Sequence, residues 1–245
     1  MKKHCSIVLI FKKTSENIIN KNTIDKLLKT MRFDFNQAEY YYYDSKKEKE
    51  YSKVYGFRNI KEIYNILDEQ RNTNLDEKSV INIAFYKKKD DVSTWPDFGI
   101  YLNIFKNYIK IEVDMTDTII NIDFINRIIK SINNNNLIIN NGFVHYYSKK
   151  KTNWMIRGTY VDFMLPSEII FTKKMEKWLI NPISKIPDIY YINIISKEFI
   201  NDNILKKLIQ TITNKCFSEN NNYICFQGYG NEKIIKTIIG KEKFI

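Results

Sequence analysis

Three times along the chain an apolar run is followed by a polar-capped amphipathic run and then by a second apolar run. The copies are residues 6–11 through Thr23 to 40–43, residues 109–115 through Asp123 to 143–147, and residues 190–195 through Asp202 to 223–226. Each middle run places apolar residues at i, i+3, i+4 and i+7, one stripe of a helix. These are Ile24, Leu27, Leu28 and Met31; Ile125, Ile128, Ile129 and Ile132; and Leu205, Leu208, Ile209 and Ile212. Thr23, Asp123 and Asp202 stand where a short side-chain oxygen caps the free N–H groups of a first turn. A fourth run, Asn59 followed by Ile60, Ile63, Tyr64 and Leu67, has the same form and passes into the polar stretch 68–78, expected to be a loop or a frayed turn.

Strands announce themselves by period two. Ile109, Ile111, Val113 and Met115 alternate with Lys110, Glu112 and Asp114, so one face is expected in the core and the other against water or a partner. Ile100, Leu102 and Ile104 alternate just before it, and the Lys106-Asn107 spacing suits a hairpin. Ile81, Ile83 and Phe85 predict another half-buried strand, and residues 143–147, 159–163, 190–195 and 223–226 are further β-branched or aromatic runs. Pro166-Ser167-Glu168 opens one more expected helix, with Phe171, Met175, Trp178 and Leu179 on one side and Pro182 and Pro187 ending it.

Helices separated by hairpins predict an α+β fold: a mostly antiparallel sheet with helices packed on one face. The threefold echo suggests repeated split strand-helix-strand units of ferredoxin-like type. No composition break or Pro/Gly/Ser linker compels two domains, so residues 1–245 read as a single body, with a seam between pseudo-repeated halves expected near residues 148–151. A chain of 245 residues is long enough to bury roughly 70–75% of its unfolded surface without staples.

Composition narrows the function classes. Cys5, Cys216 and Cys225 are odd in number and lack CxxC spacing, which reads as structural thiols in a reducing compartment. The start, Met1-Lys2-Lys3-His4 before a short apolar run, reads as a first strand rather than a leader, and no run approaches the length of a spanning helix. A cytoplasmic protein without a membrane contact is therefore expected. The net charge of +11 invites a nucleic-acid partner, since lysines that neutralise phosphates release counterions. Yet thirty-four lysines stand against five arginines, and arginine is the residue suited to bidentate phosphate and base contacts.

Chemistry is sparse. With His4 and His145 the only histidines, no metal set of the HExxH or paired-cysteine kind is present, and no metal or other cofactor is expected. His145 beside Tyr146 and Tyr147 reads as a half-buried histidine within the sheet rather than a base. Gln227-Gly228-Tyr229-Gly230-Asn231 is a lone Gly-x-Gly, better suited to a turn with positive φ than to an anion cradle. Glu112 and Asp114 share a strand face, an arrangement that could hold magnesium but is commoner as solvated strand-edge charge.

The aromatic inventory points instead to recognition. Trp95-Pro96-Asp97-Phe98-Gly99 follows a charged turn, and Trp154-Met155-Ile156-Arg157-Gly158-Thr159-Tyr160 opens an expected strand. Trp, Tyr and Arg dominate binding hot spots because they bury large areas and keep a polar handle. Trp95, Phe98, Trp154, Arg157 and Tyr160 are the expected partner contacts, and no catalytic residue is assigned. The tyrosine run 40–43 cannot bury both strand faces equally, so one or two rings are expected at the surface.

The layout of Gly142-Phe143, Trp154-Met155 and Tyr160 to Pro166 resembles the immunity protein 52 family of bacterial polymorphic-toxin systems, over about half the chain and without a diagnostic motif. That resemblance implies a non-enzymatic cytosolic protein that binds and neutralises a cognate toxin. The basic charge departs from the acidic surfaces by which nuclease inhibitors often work, which leaves the toxin type open. The alternative is a basic nucleic-acid-binding module with tyrosine stacking platforms.

Overall fold

The computed structural model describes residues 2–11, 21–32, 34–44, 49–56, 60–69, 80–87, 98–104, 108–115, 120–132, 139–149, 185–213 and 216–244. Among the described residues ten strands form one sheet. They are β1 (Lys2–Phe11), β2 (Gln37–Asp44), β3 (Lys49–Gly56), β4 (Val80–Lys87), β5 (Phe98–Ile104), β6 (Tyr108–Met115), β7 (Ile139–Lys149), β8 (Ile192–Ser196), β9 (Phe217–Glu219) and β10 (Tyr223–Gln227). Their order is β3-β2-β4-β5-β6-β1-β7-β8-β10-β9, and each neighbouring pair is antiparallel. Among the described residues there are five α-helices, four between strands and one after β10: α1 (Lys21–Met31), α2 (Ile60–Glu69), α3 (Ile122–Ile132), α4 (Asp202–Thr211) and α5 (Glu232–Ile239). The fold is α+β, as the periodicities predict.

Strand directions give the repeat its form. β6 and β7 both run against β1, so they are parallel to each other and the unit β6-α3-β7 straddles β1. By the same logic β3-α2-β4 straddles β2 and β8-α4-β9 straddles β10. The apolar pattern located the β6-α3-β7 unit. It missed the others: β1 and β2 are separated by three strands, and the strand that completes the third unit is the three-residue β9 rather than β10.

The main core lies on one face, where Cys5, Ile7 and Leu9 of β1 meet Ile109, Ile111 and Val113 of β6, under α1, α2 and α3. Each fully buried Ile or Leu there contributes about 1.5–3 kcal/mol. Thr30 Oγ1 and Ser131 Oγ, 2.8 Å apart, tie α1 to α3, and Asn126 Nδ2 donates to Ser218 Oγ at 3.0 Å, tying α3 to β9. The second core sits on the opposite face at one end, where Ile195, Ile224 and Phe226 pack with Leu208 of α4 and Ile235 and Ile239 of α5. α1, α2 and α3 thus share one face as expected, and α4 and α5 cover the other.

Cap positions shift from those the sequence suggests. Asn121 Oδ1 accepts from the Phe124 N–H at 2.8 Å and Asn201 Oδ1 from the Ile204 N–H at 2.9 Å, so asparagines precede the expected Asp123 and Asp202 in capping α3 and α4. α1 begins at Lys21, leaving Thr23 buried within its first turn. The polar residues Asp68 and Glu69 still belong to α2, because the helix continues past its apolar stripe. The expected strand 159–163, the expected helix after Pro166 and the proposed seam after β7 lie wholly or largely outside the described residues.

Candidate functional site

Register on the second face assembles residues that are far apart in sequence. Ser6 of β1 stands directly between Glu112 of β6 and His145 of β7, and Tyr101 of β5 continues the row across Glu112. The sequence singled out Glu112 and His145 separately and did not bring in Ser6, since only strand order makes the three neighbours. Ser6 is fully buried, Glu112 is 8% exposed and His145 is half-buried. Glu112 is therefore not the solvated edge charge expected of it, because β6 lies in the middle of the sheet. Its carboxylate pairs with Lys110 Nζ at 2.7 Å, two residues along the same face.

His145 is held neutral. Burial lowers its pKa from 6.5 to about 4, because the charged form loses hydration on leaving water. Its ring meets Tyr190 edge-on with centroids 5.7 Å apart, and Tyr190 in turn stacks on Phe143 at 4.3 Å. Despite its Ser, His and Glu, the row lacks the geometry of a nucleophilic triad. That chemistry needs the serine hydroxyl bonded to the imidazole and open to substrate, and Ser6 Oγ has no hydrogen-bond partner. Cys5 and Cys225, both fully buried, carry thiols pushed up by desolvation, which keeps them protonated and inert. Among the described residues no three His, Cys, Asp or Glu side chains gather in a metal-binding group.

The surface offers a different feature. After β10 the chain reverses through Gly228-Tyr229-Gly230-Asn231, where the Asn231 N–H donates to the Gly228 carbonyl at 3.1 Å and Gly230 takes φ +83°. A positive φ at the third position is what a type II turn requires and what glycine supplies without steric cost. The turn is locked from below. The Gly228 N–H donates to the Tyr191 carbonyl at 3.0 Å, and a side chain at Gly228 would lie 2.6 Å from the Tyr190 carbonyl oxygen. The Gly230 N–H donates to Glu232 Oε1 at 3.0 Å, so the chain's own carboxylate occupies the place an anion would take.

At the apex Tyr229 is 78% exposed, and Ile234 in the first turn of α5 is 52% exposed. Tyr229 is backed by Tyr191 at 6.5 Å between centroids, which is itself edge-on to the half-buried Tyr146 at 4.6 Å. An aromatic series thus runs from the main core to solvent. The lone Gly-x-Gly predicted this turn correctly; the tyrosine between its glycines, which a chain reversal must push outward, was the signal for the exposed ring.

Of the expected partner contacts, Trp95, Trp154, Arg157 and Tyr160 lie outside the described residues. Phe98 opens β5 across from Lys87 of β4. Of the tyrosine run, Tyr40 is buried in the main core. No described helix is long and apolar enough to cross a membrane. No family model matches the chain, and no curated protein or solved structure matches it at a significant level.

Proposed function

We propose that this chain is a non-enzymatic cytoplasmic binding protein that grips a protein partner, in the manner of a bacterial immunity protein neutralising its cognate toxin. The observation that carries the reading is Tyr229: a turn fixed by two backbone–backbone hydrogen bonds and one from the Gly230 N–H to the Glu232 carboxylate presents a 78% exposed aromatic ring, and Ile234, five residues on, is 52% exposed. A rigid aromatic knob loses little conformational entropy on binding, which is why tyrosine is favoured at the centre of interfaces. The reading also draws on the second face, where the reactive side chains are buried, neutral or ion-paired. The basic surface adds long-range attraction for an acidic partner.

The test is co-expression with the secreted toxin expected from a neighbouring reading frame. The intact chain should restore growth and copurify with the toxin, and Tyr229→Ala should weaken the complex at least tenfold while thermal unfolding stays unchanged. Undiminished rescue by both Tyr229→Ala and Ile234→Ala would reject this surface. Loss confined to variants of Trp95, Phe98, Trp154, Arg157 or Tyr160 would place the contact there instead. Tight binding to mixed-sequence oligonucleotides near physiological salt, with no toxin complex, would favour the nucleic-acid alternative.

A further inference from the structure

Positive charge gathers on two of the helices. α1 and α3, eleven residues each, together with Arg32 just past the end of α1, carry six cations against two acids. That places a net +4 of the chain's +11 in 23 of its 245 residues, several times the share of an evenly coated surface. Lys21, Lys26, Lys29, Arg32, Arg127 and Lys130 are all exposed, and among the described residues none of them is in an ion pair. The helices meet at Ser131, whose Oγ donates to the Arg127 carbonyl at 2.8 Å and stands 3.5 Å from the Lys26 carbonyl, so cations of both helices flank one seam.

Fold stability does not account for this set. The negative end of the helix dipole favours Lys29 and Lys130 in the last turns. It opposes Lys21, the first residue of α1, whose first turn holds no acid. Lys26 with Lys29, and Arg127 with Lys130, are like charges three residues apart on a helix surface, where they repel. Arg32 takes φ +51°, a left-handed backbone that glycine adopts freely and a long side chain only at a cost. Each of these choices is unfavourable to the free chain, and each adds charge of one sign to the same pair of helices.

We propose that the outer surface of α1 and α3 docks an acidic protein surface. The proposal rests on the reading of the chain as a protein binder and names the chemistry its partner presents. A nucleic acid fits less well. α1 is held to α2 by the Tyr64–Asp25 hydrogen bond and to α3 at Thr30 and Ser131, and α3 is held to β9 through Asn126 and Ser218. Neither helix therefore stands clear of its neighbours to enter a groove. Tyr64 and Phe124, the rings beneath Lys21 and Arg127, are buried and give bases no platform for stacking.

Poly-L-glutamate and a mixed-sequence DNA duplex serve as probes, with fluorescence anisotropy of the labelled probe reading its binding by the full chain. Replacing Lys26, Lys29, Arg127 and Lys130 together by glutamine should weaken poly-L-glutamate binding at least tenfold. Glutamine at Lys206, Lys207, Lys233 and Lys241, exposed cations on and just after α4 and α5, removes the same charge and should weaken it less than threefold. Equal losses in the two quadruple variants overturn the proposal, because net charge alone then governs. A duplex that binds more tightly than poly-L-glutamate near physiological salt, and through the same four residues, overturns it in favour of nucleic acid. Arg32→Gly should weaken poly-L-glutamate binding while the unfolding temperature holds or rises; binding as tight as that of the native chain counts against the proposal. Should the first quadruple variant fail to fold, Lys26→Gln and Arg127→Gln singly, ranked against Lys206→Gln and Lys233→Gln, decide in its place. Tyr229→Ala should leave poly-L-glutamate binding unchanged, so failure of this surface and failure of the Tyr229 contact with a toxin are told apart.

Discussion

Ser6 and His145 are direct cross-strand neighbours on β1 and β7, and burial keeps the imidazole neutral beside a hydroxyl it does not engage. The consequence is a pH dependence of stability. The native imidazole titrates near 4 and the unfolded one near 6.5, so between these values the unfolded chain binds a proton that the native chain refuses. Stability therefore falls as pH drops from about 6.5 to 4, by on the order of 2–3 kcal/mol from this group. Urea unfolding across that range should show a steeper acid loss for the native sequence than for His145→Gln; equal slopes would contradict the assignment.

Ser6→Ala should be neutral or stabilising by up to about 1 kcal/mol, because it removes a buried hydroxyl without a hydrogen-bond partner. A loss of more than about 1 kcal/mol in chemical denaturation would mean that the hydroxyl makes a bond in solution.

The Lys110 and Glu112 pair should behave oppositely. Lys110→Met removes the cation paired with a carboxylate that is 8% exposed and should cost about 3 kcal/mol. Adding Glu112→Leu should return most of that loss, since two apolar side chains no longer need the ion pair's desolvation repaid. A double variant no more stable than Lys110→Met would show that Glu112 has a separate structural role.

The turn under Tyr229 makes two distinguishable demands. At Gly228 an added methyl would lie 2.4 Å from Ile189 Cγ2 and 2.6 Å from the Tyr190 carbonyl oxygen, so Gly228→Ala should destabilise by about 1–3 kcal/mol through overpacking. Gly230 has open space but φ +83°, so Gly230→Ala should cost only the conformational penalty of roughly 1–2 kcal/mol. Thermal unfolding of the two variants should rank them in that order.

The sheet and helices were legible in the chain because the core has two sides. Ile109, Ile111 and Val113 could face the core only in an extended strand, and Ile125, Ile128, Ile129 and Ile132 only in a helix. Cap positions slipped by a residue or two because asparagine and aspartate cap almost equally well, so sequence does not choose between Asn121 and Asp123. Local pattern likewise identified the turn at Gly228 and Gly230, whose conformation is settled within a few residues.

Strand order was another matter. Whether β1 lies beside β2 or between β6 and β7 depends on long-range pairing, and an alternating apolar strand carries no label for its neighbour. Only the tertiary structure therefore set Ser6 between Glu112 and His145 and turned an expected surface carboxylate into a buried one. Periodicity records which side of a residue meets the core; pairing between strands decides what stands next to it.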